Sequence, residues 1–141
     1  MISLPQPDDL TSLVLRTDFT DEPAWEAVKA ALRTWEGDDS ATFVSDPKYA
    51  GVSLQRLVDA DNAASHEDKL TYLFLADATT MADVECPLLA LDLADEPGRT
   101  FRVPPRWYAD VSANLTIANV DFAEFANAVD RSDTYRGFDG A

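Results

Sequence analysis

The chain of 141 residues holds one cysteine, one histidine, five glycines and eleven basic side chains. Each scarcity removes a class of function. A lone Cys86 permits no intramolecular disulfide. It lies in the apolar run Cys86-Pro87-Leu88-Leu89-Ala90-Leu91, where a buried, inert thiol is expected. One cysteine and one histidine are too few for a zinc site. His66 stands in the polar stretch Ser65-His66-Glu67-Asp68-Lys69, and no G-x-S-x-G elbow presents a serine to it. A Ser-His-Asp arrangement is therefore not expected. None of the glycines falls in a G-x-G-x-x-G or G-x-x-x-x-G-K-[ST] pattern, which excludes both common phosphate loops. No apolar run approaches the roughly 18 residues of a membrane span. The opening residues Met1 to Asp9 lack the charged and apolar regions of a signal peptide. A soluble, cytoplasmic protein is expected.

What is plentiful is acid. The 26 acidic side chains against 11 basic ones give a net charge of −15 and a sequence pI of about 4.1. Nineteen of the acids are Asp, and eight of the bases are Arg. Nucleic-acid backbones are bound by Lys and Arg, so a nucleic-acid partner is excluded on charge, as is an anionic membrane surface. With 46% hydrophobic residues the chain is too apolar for a disordered acidic tail. An Asp-rich, Lys-poor surface also suits proteins adapted to high salt, which is the plainer account of the charge.

Periodicity places the elements. Residues 1–10, with two prolines and two aspartates, read as a loose lead-in to a single domain spanning 1–141. Ser12 to Thr17 is a short apolar run, read as a strand buried on both faces. Thr20 or Asp21 then caps a helix carrying Trp25, Val28, Leu32 and Trp35 on one stripe, stopped by Gly37-Asp38-Asp39. Ala41 to Ser45 is a second strand, and Ser53 caps a helix with Leu54, Leu57 and Val58 that fades into loop from Asp59. Thr71 to Ala76 is the clearest strand, followed by a polar stretch from Asp77 to Cys86. Pro87 to Leu93 and Arg99 to Val103 make strands four and five, joined by the turn Asp95-Glu96-Pro97-Gly98 as an antiparallel hairpin. Helices follow on Trp107, Val111 and Leu115, and on Phe122, Phe125, Ala126 and Val129, the last opened by an Asp121–Glu124 capping box. The order β-α-β-α-β-β-β-α-α predicts an α/β fold. Its mixed sheet has about five strands, parallel at the start and antiparallel at the edge, with about four helices.

One catalytic constellation can be assembled. Asp18, Asp46 and Asp77 each follow a strand's C-terminal end, where open α/β sheets bind their ligands. Converging carboxylates suit Mg²⁺ or Ca²⁺, with Thr79 and Thr80 adding hydroxyls and Arg16 a cation. The first βα turn, Arg16 to Asp21, is acidic and glycine-free, so it repels phosphate unless a divalent metal intervenes. The competing reading makes each aspartate a turn former or helix cap. With 19 Asp in the chain, three at strand ends is no surprise. Among aromatics, Trp25 and Trp107 default to core packing. Trp35 at a helix end, and Tyr49 and Tyr135 in loop-like stretches, are candidate contact residues together with Arg16 and Arg136. Tyr49 and Tyr135 fit equally against the sheet. Arg16, Arg99, Arg102 and Arg136 each have surplus carboxylates to pair with.

Several segments are also familiar as sequence. Leu15-Arg16-Thr17-Asp18-Phe19 before Ala24-Trp25 resembles the opening of a family of small acidic bacterial domains of unknown function, seen mainly in actinobacteria. Asp92-Leu93 with Glu96-Pro97-Gly98-Arg99-Thr100-Phe101-Arg102-Val103 fits it as well. So do Asn114-Leu115-Thr116-Ile117-Ala118-Asn119 before Asp121-Phe122, and the ending Tyr135-Arg136-Gly137-Phe138. The resemblance covers nearly the whole chain and implies no catalytic residue.

Three functions remain. The first is a non-catalytic acidic binding protein for a basic protein partner, as inhibitors and immunity proteins are, with charge steering the encounter. The second is a metal-dependent hydrolase or phosphotransfer-type enzyme built on Asp18, Asp46 and Asp77. The third is a structural module with no dedicated ligand.

Overall fold

The computed structural model describes residues 3–8, 11–36, 41–117 and 119–137, without the side chains of Trp35 and Glu36. The expected Gly37-Asp38-Asp39 helix stop and part of the lead-in lie outside these residues.

The chain's central strand is its first. β1 (Ser12–Arg16) is buried at every position, because parallel neighbours pair with both its edges and helices cover both its faces. β2 (Ala41–Val44) lies on one side and β3 (Tyr72–Ala76) on the other, both parallel to it. β4 (Leu88–Asp92) and β5 (Thr100–Val103) extend the sheet antiparallel, giving the open order β2-β1-β3-β4-β5. The hairpin joining the last two is held by Asp92. Its Oδ1 accepts the Ala94 N–H at 2.9 Å, its Oδ2 the Glu96 N–H at 3.0 Å, and its carbonyl the Gly98 N–H at 2.9 Å. Gly98 holds φ at 99°, a backbone conformation that side chains with a Cβ rarely adopt.

Helices cover both faces because successive crossovers run in opposite directions from β1. α1 (Glu22–Glu36), α4 (Pro105–Thr116) and α5 (Phe122–Asn127) pack on the face presenting Val14, Phe74, Ala90 and Phe101. The stripe expected for α1 is observed, with Trp25, Val28 and Leu32 all buried. Tyr49 and α2 (Leu54–Asn62) pack on the face presenting Leu13, Leu15, Leu73 and Leu75. Residues 3–8 carry no helix or strand. They are nonetheless tied to this second layer, since Ser3's carbonyl accepts from Tyr49 Oη–H at 2.7 Å and Gln6 Nε2–H donates to the Asp68 carbonyl at 2.8 Å.

Two features depart from the expected order. α2 continues through Asp59-Ala60-Asp61-Asn62 instead of fading there, because Ala60 and Asp61 fall three and four positions after Leu57 and share its buried side. A five-residue helix, α3 (Ala78–Ala82), interrupts the polar stretch after β3. At the far edge, the segment around Thr134 bridges β5. The Arg102 N–H donates to the Asp133 carbonyl at 2.7 Å, and the Tyr135 N–H to the Arg102 carbonyl at 2.8 Å. This covers part of an otherwise open strand edge.

Candidate functional site

β1 sends its chain one way to β2, and the chain then returns past β1 to β3. The C-terminal ends of β1 and β3 therefore flank the sheet's topological switch point, where doubly wound folds place their ligands. A cleft of about 610 Å³ opens there, lined by Thr17, Asp18, Phe19, Ala50, Gly51 and Asp77. Its floor is fixed by two backbone bonds, Thr17 N–H to the Ala76 carbonyl at 3.0 Å and Gly51 N–H to the Thr17 carbonyl at 2.9 Å.

The structure thus brings two of the three strand-end aspartates, Asp18 and Asp77, to one cleft. Each has a local partner. Asp18 Oδ1 accepts the Thr20 Oγ1–H at 2.7 Å and the Thr20 N–H at 2.9 Å, and these bonds hold its pKa below the usual carboxylate value. Asp77 is half-buried, and that burial is the largest single influence on its ionisation, but its bonds to Arg102 and Thr80 together outweigh the cost. Arg102 Nη1 and Nη2 grip the two carboxylate oxygens at 2.8 and 2.9 Å, and the Thr80 N–H adds a third bond at 3.1 Å, so the pKa is lowered. Asp46 does not line the cleft, and its Oδ1 accepts the Lys48 N–H at 3.1 Å, capping the 3₁₀ turn Pro47–Tyr49. Thr80 is buried with its hydroxyl donating to the Pro87 carbonyl at 2.7 Å, whereas Thr79 lines a separate hollow beside Arg102 and Arg136. Among the described residues, no three His, Cys, Asp or Glu side chains stand together as a set able to hold a metal ion.

The candidate contact residues fall elsewhere. Arg16 is 2% exposed, on the α1 side of the cleft. Its Nε–H donates to the Asp18 carbonyl at 2.9 Å, its Nη1 pairs with Glu22 at 2.7 Å, and the Phe19 ring covers its guanidinium at 4.4 Å. Its buried Nη2 has no hydrogen-bond partner among the described residues. Tyr49 and Tyr135 are each 1% exposed, which removes them from an exposed contact surface. Tyr49 packs in the second core, and Tyr135 packs among Phe101, Trp107 and Phe125. The apolar body of each ring gains more from burial than its loop-like sequence suggests. Arg136 ties the C-terminal segment down, donating to Glu85 at 2.8 and 3.1 Å and to Asp130 at 2.9 Å. Trp35's side chain lies outside the described residues. Cys86 is half-buried, and burial raises its thiol pKa, in keeping with an unreactive group.

Sequence reasoning missed Arg102 as the partner of Asp77. The two stand 25 residues apart, and only the pairing of β3 with β4 and β4 with β5 brings them together. It also missed Asp61 and Asp92, both buried carboxylates that hold backbone N–H groups.

The fold and its strand-end geometry define an open α/β domain, doubly wound on its parallel side, whose switch-point carboxylates are already engaged within the chain. Its sequence matches the family model described as a domain of unknown function (DUF6924) over residues 11–138, and the chain belongs to that family. No curated protein matches the chain.

Proposed function

We propose that the protein is a non-catalytic acidic binding module that docks a basic protein partner in the cytoplasm. The observation that carries this reading is the excess of acid. Complete one-to-one pairing of all eleven bases would still leave fifteen carboxylates uncompensated. Among the described residues, five of the eleven bases are engaged by acids of the chain itself. Arg16, Lys29, Arg99, Arg102 and Arg136 each hold an intramolecular ion pair. The acids are spread over the folded surface, with Asp8, Asp21, Asp59, Glu67, Asp95 and Asp121 all exposed. Such a surface attracts a cationic partner at long range and rejects acidic ones. Among the described residues no helix is long and apolar enough to cross a membrane.

Calorimetric titration at low ionic strength against a cationic ribonuclease, and against an acidic protein of similar size, tests the reading. Heat of binding is expected with the basic protein alone. Equal binding to both, or to neither, contradicts it.

A metal-dependent hydrolase or phosphotransfer enzyme draws support from one observation, the shared cleft of Asp18 and Asp77. A rise in Tm with millimolar Mg²⁺ or Ca²⁺, lost in Asp18→Asn, would favour that alternative.

A further inference from the structure

The end of the sheet opposite the switch-point cleft carries a groove with a different character. One hollow of about 210 Å³ is lined by Tyr72, Asp95, Leu115, Val120, Asp121 and Phe122. A second, of about 300 Å³, includes Asp8, Thr11 and Lys69 and shares Thr71, Tyr72 and Leu115 with the first, so the two adjoin. Tyr72 stands between them. Its hydroxyl shares hydrogen bonds with Ser12 Oγ and Thr116 Oγ1, both at 2.7 Å, and its ring meets Phe74 edge-on at 5.8 Å. The ring is thereby fixed before any partner arrives. Ile117, one of the few large apolar side chains left exposed (65%), follows directly on Thr116 of the groove wall. At the rim, the exposed carboxylates of Asp8, Asp95 and Asp121 face one exposed cation, Lys69.

We propose that this groove is the docking site for an arginine-bearing extended segment of the basic partner. The inference rests on the function proposed above and locates it. A mixed polar and apolar floor built round the Tyr72 ring and Leu115, with a carboxylate rim, suits one side chain best. Arginine lays its aliphatic stem and planar guanidinium on apolar and aromatic surface while its N–H fork meets carboxylates. The charge of the rim selects a cationic occupant over an apolar one. In the switch-point cleft, by contrast, Asp77 already holds an arginine of the chain itself, Arg102.

The test is an NMR titration of the ¹⁵N-labelled full chain with a short Arg-Gly repeat peptide, carried out on three proteins. In the native chain, shifts are expected to concentrate at Tyr72, Asp95, Leu115, Val120 and Asp121. In Asp95→Asn/Asp121→Asn the affinity should fall about tenfold, a change on the order of 1.4 kcal/mol. Asparagine is chosen because it still serves as an N-cap at position 121. In Asp59→Asn/Glu67→Gln, which removes the same charge elsewhere, the fall should be less than about twofold. Equal weakening of both variants overturns the groove while leaving the acidic-binder reading in place. Absence of peptide binding by the native chain overturns both. Groove shifts that grow with protein concentration alone would seat a second copy there and also overturn the proposal.

Discussion

Asp77 and Asp61 are both carboxylates removed from solvent, yet their surroundings drive them in opposite directions. Arg102 and Thr80 stabilise the charged form of Asp77. Its pKa falls on folding, so its contribution to stability is present above the ordinary carboxylate value and is lost as pH drops through the lowered one. Arg102→Leu removes the fork and leaves the carboxylate half-buried without its counter-ion. Urea unfolding at neutral pH should show a loss of about 2 kcal/mol, shrinking as the medium is acidified. Asp61 accepts one strong bond, from the Leu70 N–H at 2.6 Å, but its burial dominates and raises its pKa. A raised carboxylate pKa carries a penalty that is absent below the ordinary value of 3.8 and complete above the raised one. Asp61→Asn keeps the acceptor and discards the charge. It should raise Tm by roughly 3 °C at neutral pH and by nothing in strong acid. A fall in Tm at neutral pH would show that the charge itself is needed. Neither role was legible in the sequence. Asp77 stands out in the sequence for its strand-end position, but its partner is brought in by strand pairing. Asp61 sits in a run whose composition reads as loop.

Apolar patterning placed the strands and the helices with an apolar stripe, and missed the one helix without such a stripe. α1 announces itself through Trp25, Val28 and Leu32, and all five strands lie where apolar runs place them. Its start was legible too, because Asp21 Oδ1 accepts the Ala24 N–H at 3.0 Å as an N-cap should. Asp21→Ala is therefore expected to cost about 1 kcal/mol in chemical unfolding with an unchanged denaturant slope, and Asp21→Asn only a few tenths. α3 was invisible because five residues, Ala78-Thr79-Thr80-Met81-Ala82, are too few to show an apolar stripe. Its one signal is the Asp77–Thr80 pair. The two exchange side-chain and backbone bonds as a capping box, with threonine where glutamate or glutamine is usual. α2 overran its expected end for a related reason, since Ala60 and Asp61 are weakly informative residues that helical geometry carries onto the Leu57 side. The Pro-Gly turn and the antiparallel hairpin were readable from Asp95-Glu96-Pro97-Gly98, but the role of Asp92 in binding three N–H groups was not.

For the molecule as a whole, a charge of −15 is compatible with folding because a continuous apolar interior lies on each face of the sheet, while the exposed acids stand in water. The sequence showed that acid surplus and the strand-end aspartates. It did not show which of those aspartates is held by a base of the chain itself, because that depends on pairings such as Asp77–Arg102 that form between distant segments. If the surplus steers a basic partner, attraction must weaken as salt shortens its range to about 8 Å at physiological ionic strength. Stopped-flow association of the chain with a cationic ribonuclease, followed from about 0.01 M to about 0.15 M ionic strength, measures this directly. The account predicts that the association rate constant falls about tenfold or more across that range while the dissociation rate changes little. An association rate that stays constant as salt is added would contradict it.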